Sequence, residues 1–447
     1  MGQPASRVVH QSVRGARMSV AAPARAASAQ FDAIVVGSGP GGATVARDLA
    51  GKGRRVLLLE RGGDTSPRDG LIYLASVGNF MQVAEGAGTA RALTTGGTTS
   101  LYFGIADTPP LELFRPLGID LSEALSAAQR ELPITCPIPD RLLGAQVRKV
   151  AESATQLGLA WNKAKSLLAE ESLCKDGFSH GAIWRAKRYV DEAVQRGATL
   201  ITRATVQKVL VEDGCATGVE YEIKIGRRRE LRQAFGRRIV LAAGSLATPQ
   251  ILRGSGIVNV GSRGFYCDPA MIVFGHVDGL KGGDLFPGLM TMAEEDGLLL
   301  GDGCLPRSMY RGQMLSTRKF MDLFRHRSHI GVGVMVRDGL GGELRADGGL
   351  HKEFTREEKA KLEKGAALAE RIVAQAGGKG ITRSGLSAAH VGGLLQIGEH
   401  IDASLQTELK NLHVVDCSIL PVNVRLTPVL TLVCLGKYLA ARLEQVL

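Results

Sequence analysis

Apolar and polar positions along this chain follow two periods, and the order in which the periods alternate is informative. Residues 31–36 form a short apolar, β-branched run ending in glycines, which reads as a buried parallel strand. Residues 42–51 then place Val45, Ala46 and Leu49 on one helical face, and residues 55–59 form a second buried strand that ends at Glu60. The three segments make a βαβ unit within about 30 residues. Helical periodicity returns over residues 121–132, 145–157, 189–196 and 354–376, and a last helix is expected over residues 429–443. A strand pattern over residues 199–211, a hairpin turn at Asp213-Gly214, the alternation of residues 216–225 and a buried strand over residues 239–243 complete the first unit. Residues 86–104 read as a loop rich in Gly and Thr. Residues 265–345 mix short strands with glycine turns and lose the βα alternation, so a second unit is expected there.

The stretch of residues 318–327 is basic and amphipathic. The expectation is an ordinary surface helix packed through Phe320, Leu323 and Phe324; lying on a membrane or roofing an active site are the alternatives.

Composition narrows the class. A chain of 447 residues, 45% hydrophobic and 22% charged, suits a globular enzyme with two cores. The net charge of +11 invites a nucleic-acid reading. Its densest run, residues 224–238, is however flanked by apolar strands and reads as a solvated hairpin, so no nucleic-acid partner is expected. Seven scattered cysteines contain no CxxC pair, so neither a metal site nor a disulfide framework is signalled. Reduced thiols point to a cytoplasmic setting. No run of 18 apolar residues signals a transmembrane helix, although peripheral membrane contact stays open. Residues 1–30 carry four arginines and no acid but lack an apolar signal core. They are expected to be a disordered or extended tail, with Met18 as the true start being the other reading.

Candidate chemistry begins at the first turn. Gly37, Ser38, Gly39, Pro40, Gly41 and Gly42 give GxGxxG between a strand and a helix. In this pattern the first glycine permits the tight turn, the second admits a pyrophosphate to the backbone, and the third lets helix and strand pack closely. The helix N-terminus adds free N–H groups and a positive dipole end. Glu60, followed by Arg61, sits at the tip of the second strand, where a carboxylate accepts from ribose hydroxyls. A dinucleotide site follows, and the long interruption before residues 239–243 return favours a flavin over a nicotinamide cofactor.

Four blocks, in order, resemble those of the glucose–methanol–choline (GMC) oxidoreductases: residues 35–42, 96–100, 240–252 and 412–421. The resemblance implies an α/β fold, with a Rossmann-like FAD-binding domain over residues 31–110, 171–264 and 389–447. It also implies a smaller α+β substrate domain on an antiparallel sheet, over residues 111–170 and 265–388. It further implies FAD as cofactor, oxidation of a CH–OH group with hydride passing to flavin N5, and a small or lipophilic alcohol as substrate. The electron acceptor is O2, a quinone or a redox protein, of which a quinone or protein acceptor is favoured. By the same resemblance Gly96, Gly97, Thr98 and Thr99 run along the pyrophosphate and flavin, Val206 bonds adenine, and Asp416 and Cys417 lie near the ribityl and diphosphate. Ala243 and Gly244 belong to the third block, and Pro428 opens the last helix toward the flavin.

His390, in Ala389-His-Val-Gly-Gly393, corresponds to the family's catalytic base. Thr427 stands where the family has His or Asn, and Tyr102 near the place of a family Asn. These departures keep two alternatives in view: non-redox or light-driven chemistry on a GMC-like flavoprotein, such as a lyase or decarboxylase, and a flavin-binding protein without turnover. Arg425 is a candidate carboxylate binder or a salt-bridge residue, and His180, His400 and His413 read as structural.

Overall fold

The computed structural model describes residues 30–66, 71–169, 181–283, 291–422, 424 and 427–447. The N-terminal tail, Cys174, His180 and Arg425 lie outside the described residues.

Two sheets organise the chain. The first is built on β1 (Phe31–Val36), α1 (Pro40–Ala50) and β2 (Val56–Leu59). β1 runs parallel to β2, from Ala33 opposite Val56 to Val36 opposite Leu59, and the four residues of β2 are all buried. On its other side β1 runs parallel to the end of the strand Arg228–Leu241, from Gly236 to Leu241. The far edge of that long strand is shared. Its first half pairs antiparallel with Cys215–Ile225, and its last three residues pair parallel with Leu412–Val414. Strands Thr199–Ile201 and Ala204–Glu212 complete seven. The parallel strands are apolar on both faces because helices cover them. α1 packs beside the C-terminal helix Val429–Glu444 so closely that a Cβ on Gly436 would stand 2.8 Å from Gly41 O. The α/β, Rossmann-like expectation therefore holds for this unit.

The second sheet has nine strands and is mainly antiparallel. Its order runs from Gly78–Ala84 and Ala87–Ala92, through Ser387–Ala388, to Pro269–His276 and His329–Val336, and then to Leu298–Asp302, Thr291–Glu295 and Asn162–Lys163, with Lys379–Arg383 also paired to Pro269–His276. Helix Arg356–Gln375 lies on it and buries Leu362, Ala366, Ala369, Ile372 and Val373 at helical spacing. Its first turn is fixed by a capping box between Thr355 and Glu358.

Four local expectations have different outcomes. The predicted loop of residues 86–104 opens as the strand Ala87–Ala92, and this hairpin joins the second sheet. The turn at Asp213-Gly214 is as expected, with positive φ of 49° and 72° at its two central residues. The basic hairpin of residues 224–238 is a solvated turn with Arg229–Glu222 and Arg232–Glu230 ion pairs at 3.1 and 2.7 Å. Residues 318–327 do not form a packed surface helix. They make two short 3₁₀ turns, Phe320–Phe324 and His326–Ser328, in which Leu323 packs inward while Phe320 and Phe324 are exposed. The apolar positions i, i+3 and i+4 suggested a helix, but the core offers a socket to only one of them. Among the described residues no helix is long and apolar enough to cross a membrane.

Candidate functional site

A cavity of about 1050 Å³ runs between the two sheets. At one end the turn after β1 enters α1. Gly37 has φ +99°, and a Cβ there would strike Ala242 O at 2.2 Å. Gly42 lies against the same turn, where a Cβ would meet Gly37 O at 2.1 Å. Gly39, by contrast, has nothing within 4 Å of an added Cβ, so its backbone faces open space at the N-terminus of α1. Two of the glycines thus serve close packing, and the third leaves a cradle lined by backbone with a positive dipole end.

Ser38 ties this turn to its neighbours. Its N–H and hydroxyl donate to Glu60 Oε2 at 3.2 and 2.5 Å, and its oxygen accepts from Gly96 N at 3.1 Å. Glu60 Oε1 accepts from Gly62 N at 2.7 Å. A carboxylate has about four acceptor positions, so Glu60 keeps one for a further donor. Burial raises its pKa against the opposing pull of Ser38, Gly62 and Arg61. The second glycine turn is brought against the first, a Cβ on Gly97 falling 3.1 Å from Gly39 Cα. Thr99 holds it, donating to Gly96 O at 2.6 Å and accepting from Ala186 N at 3.1 Å.

The strand Arg228–Leu241 delivers Ala243 and Gly244 to the cavity wall, and Asp416 fixes them there. Its Oδ2 accepts from Gly244 N at 2.9 Å and Thr248 Oγ1 at 2.5 Å, and its Oδ1 from Ser418 N and Oγ at 2.9 and 2.6 Å. Four donors saturate this buried carboxylate, so its role here is to join three segments. Burial first, and then Asp416, push the Cys417 thiol up to about 12, which keeps it protonated at neutral pH.

At the other end of the cavity His390 lines the wall with its ring about a quarter exposed. Its Nδ1 lies 3.2 Å from Asp268 Oδ2, and Nε2 has no protein partner among the described residues. The two loops that carry this pair are bonded together, Ala389 N donating to Asp268 O at 3.1 Å and His390 N to Cys267 O at 3.3 Å. Asp268 itself sits at φ +47°, a conformation Asp tolerates, and its N–H donates to Asp338 Oδ1 at 2.7 Å. Burial raises the pKa of Asp268, and the His390 contact opposes that rise. Asp338 is in turn paired with Lys352 Nζ, both side chains being almost wholly buried.

Thr427 also lines the cavity, but its donors are taken. Its hydroxyl donates to Ile105 O at 3.1 Å, and its N–H to Asp107 Oδ2 at 3.1 Å. Of the residues singled out from the sequence, the cavity gathers Gly37 to Gly41, Glu60, Arg61, Gly97 to Thr99, Val206, Ala243, Gly244, His390, Asp416, Cys417, Thr427 and Pro428. Gly42 and Gly96 stand behind its wall. Asp268, Asp338 and Lys352 were not visible in the sequence. They lie far apart along the chain, and no spacing motif joins them to His390.

Residues 118–263 match the family model described as GMC oxidoreductase, and residues 35–73 that of an NAD(P)-binding Rossmann-like domain. Over residues 118–263 the chain is similar to the GMC oxidoreductases. It is 27% identical to a long-chain-alcohol oxidase of Arabidopsis thaliana over 55% of its own length and 37% of the relative's. It is 23% identical to the sinalpyl alcohol oxidase of Nesocodon mauritianus over 51% of its own length and 45% of that protein. The chain thus spans less than half the length of these curated relatives. Among solved structures, pyridoxine 4-oxidase from Mesorbium loti superposes with a TM-score of 0.68 at 16% identity, covering 93% of this chain and 99% of that one. A formate oxidase of Aspergillus oryzae superposes with 0.71 at 14% identity, covering 93% and 98%. These likenesses show that the chain shares the fold of these two oxidases. Within it, the structure places Tyr102 on the cavity wall, with its hydroxyl donated to Trp184 O.

Proposed function

We propose that the chain is an FAD-dependent oxidoreductase acting on a CH–OH group, with His390 as the base. The observation that carries this reading is His390, bonded from behind by Asp268, in the same cavity as the open Gly39 turn and Glu60. The residues present suit FAD. The Gly37–Gly41 turn and the start of α1 would hold its pyrophosphate, Glu60 a ribose hydroxyl, Val206 the adenine, and the Gly97–Thr99 turn with Gly244 the run toward the flavin. The cavity volume lies at the upper end of the usual range for ligand sites, as so long a cofactor requires.

When bound, FAD supplies at N5 the acceptor for the hydride that leaves the CH–OH carbon. The carboxylate of Asp268 holds hydrogen on Nδ1 of His390, which leaves the Nε2 lone pair to take the hydroxyl proton of the alcohol. Thr427 has its one hydroxyl hydrogen committed to Ile105 O, so it adds no donor to the alkoxide and His390 carries the proton transfer alone. The apolar walls formed by Met271, Leu299 and Met335 suit a small or lipophilic alcohol better than a sugar. Long-chain and aryl alcohols are therefore the first substrates to try, in keeping with the alcohol oxidases among the relatives.

The test is anaerobic flavin reduction across an alcohol panel. Bleaching of the flavin by at least one alcohol is expected, and His390→Ala should slow it by about 10²-fold or more. A holoprotein that no alcohol bleaches sinks the activity, and an unchanged rate in the variant removes His390 from the role of base.

A further inference from the structure

The cavity opens beside an apolar surface that neither sheet uses. Phe80 lines the cavity and is nonetheless 66% exposed, so it stands at the mouth. The helix Arg307–Ser316 lines the same cavity through Met309, Gly312, Gln313 and Ser316. It packs beside the helix that carries Ile72, which is 86% exposed. Beyond its C-terminus the chain presents Phe320, Met321 and Phe324, with Met321 and Phe324 more than 80% exposed. Soluble proteins expose single apolar residues routinely, but a cluster of large ones marks an interaction surface.

These side chains are not displayed by a fraying loop. Leu323 packs with Phe274, Leu305, Tyr310 and Met314. Tyr310 Oη donates to Asp322 O at 2.8 Å, and Arg325 reaches both Asp322 and His276. The segment is anchored from below and holds its aromatic rings outward.

Charge identifies the partner. Residues 307–327 contain Arg307, Arg311, Arg318, Lys319, Arg325 and Arg327 against one acid, Asp322. Asp322 pairs with Arg325 at 3.5 Å, and among the described residues no carboxylate pairs with the other five. Apolar side chains set among unpaired cations fit an anionic bilayer, where the rings enter the acyl boundary and the cations meet the headgroups. A second copy of the chain fits poorly. A two-fold contact would set the same five cations against one another.

We propose that this face docks the protein on an anionic lipid surface, with the cavity mouth turned toward the bilayer. The proposal does not depend on the flavin chemistry and is tested without it. The purified holoprotein is sedimented with sucrose-loaded vesicles of phosphatidylcholine alone, or with about one third phosphatidylglycerol. Sedimentation is expected with the anionic vesicles alone, and it should fade as salt rises and screens the cations. A Phe320→Ser/Phe324→Ser double variant and an Arg318→Glu/Lys319→Glu double variant should each bind at least tenfold more weakly, while keeping the wild-type thermal midpoint and flavin content. Each lysine or arginine near such a surface contributes roughly fivefold, so charge reversal at two positions exceeds that threshold. Wild-type protein left in the supernatant overturns the proposal, as do folded variants that bind undiminished. Light scattering that finds a dimer abolished by the same variants also overturns it, and assigns the face to a second copy.

Discussion

Substituting Lys352 by Met isolates the buried electrostatics behind His390. Lys352 Nζ pairs with Asp338 and also donates to Phe265 O at 3.1 Å and to Gly339 O. Its side chain is 3% exposed and that of Asp338 not at all. Methionine fills nearly the same space, so the change removes charge and donors while leaving packing almost intact. Asp338 then keeps the N–H groups of Cys267 and Asp268, at 3.0 and 2.7 Å, and the weak Cys267 thiol donor at 3.7 Å, and two carbonyls lose a donor. Removing one partner of a buried pair costs about 3–5 kcal/mol, because the other charge stays unpaired in a poor dielectric. Unfolding entropy near 60 °C is about 2.1 cal/mol/K per residue, which for this length is roughly 0.9 kcal/mol/K, so a fall of about 3–5 °C in Tm is expected. Differential scanning calorimetry measures it. The companion variant Lys352→Met/Asp338→Asn removes the stranded charge but keeps an acceptor for the two N–H groups, and it should recover most of the loss. A single variant within 1 °C of wild type, or a double variant no better than the single, would refute the reasoning.

Three further outcomes follow from the geometry. Asp268→Asn should lower kcat for flavin reduction by about tenfold or more with little change in KM, because it loosens the orientation of His390 and leaves the alcohol pocket alone; equal changes in both would assign Asp268 to binding instead. Gly39→Ala should fold normally, with open space for its Cβ, yet bind FAD at least tenfold more weakly, whereas Gly42→Ala, with Gly37 O at 2.1 Å, should fail first in stability; FAD titration and thermal melts separate the two. His329 is buried with Nε2 accepting from Leu305 N at 3.2 Å and Nδ1 donating to His326 O at 2.5 Å, and burial depresses its pKa to about 3. The unfolded chain binds that proton near pH 6.5, so this stability is present above pH 6.5 and lost as pH falls toward 3. The stability difference between wild type and His329→Asn in urea should therefore shrink by about 1.4 kcal/mol per pH unit below 6.5, and a difference independent of pH would exclude the titration.

What could be read from the sequence was whatever depends on neighbours along the chain. The apolar runs of β1 and β2, the glycines of the first turn and the Asp213-Gly214 hairpin all declare themselves locally. The strand Ala87–Ala92 did not, because Gly and Thr are poor strand signals and its partners come from residues 78–84 and 387. The helical reading of residues 318–327 failed because periodicity reports which side chains could share a face, and not whether a core exists to receive them. In the site, the glycine turns and His390 were legible through motif. Asp268 was not, since its contact arises from a left-handed residue placed by Asp338 seventy positions away. The commitment of the Thr427 hydroxyl to Ile105 is likewise a purely tertiary fact.

The shared edge of the strand Arg228–Leu241 bears on how the chain is made. β1 and α1 are among the first described elements to leave the ribosome, yet the second partner strand of β1 lies about 200 residues downstream, and one of the two helices packed on α1 begins only at Val429. At about 5–20 residues per second, that helix follows α1 by roughly 20–80 s. Throughout this interval a nascent chain carries a strand with one edge unpaired and a helix face only partly covered, and short-range contacts alone cannot bury either completely. The first unit can close only after the helix that begins at Val429 has been made. Slowed synthesis or scarce chaperones should therefore reduce the yield of this protein more than its final stability would suggest.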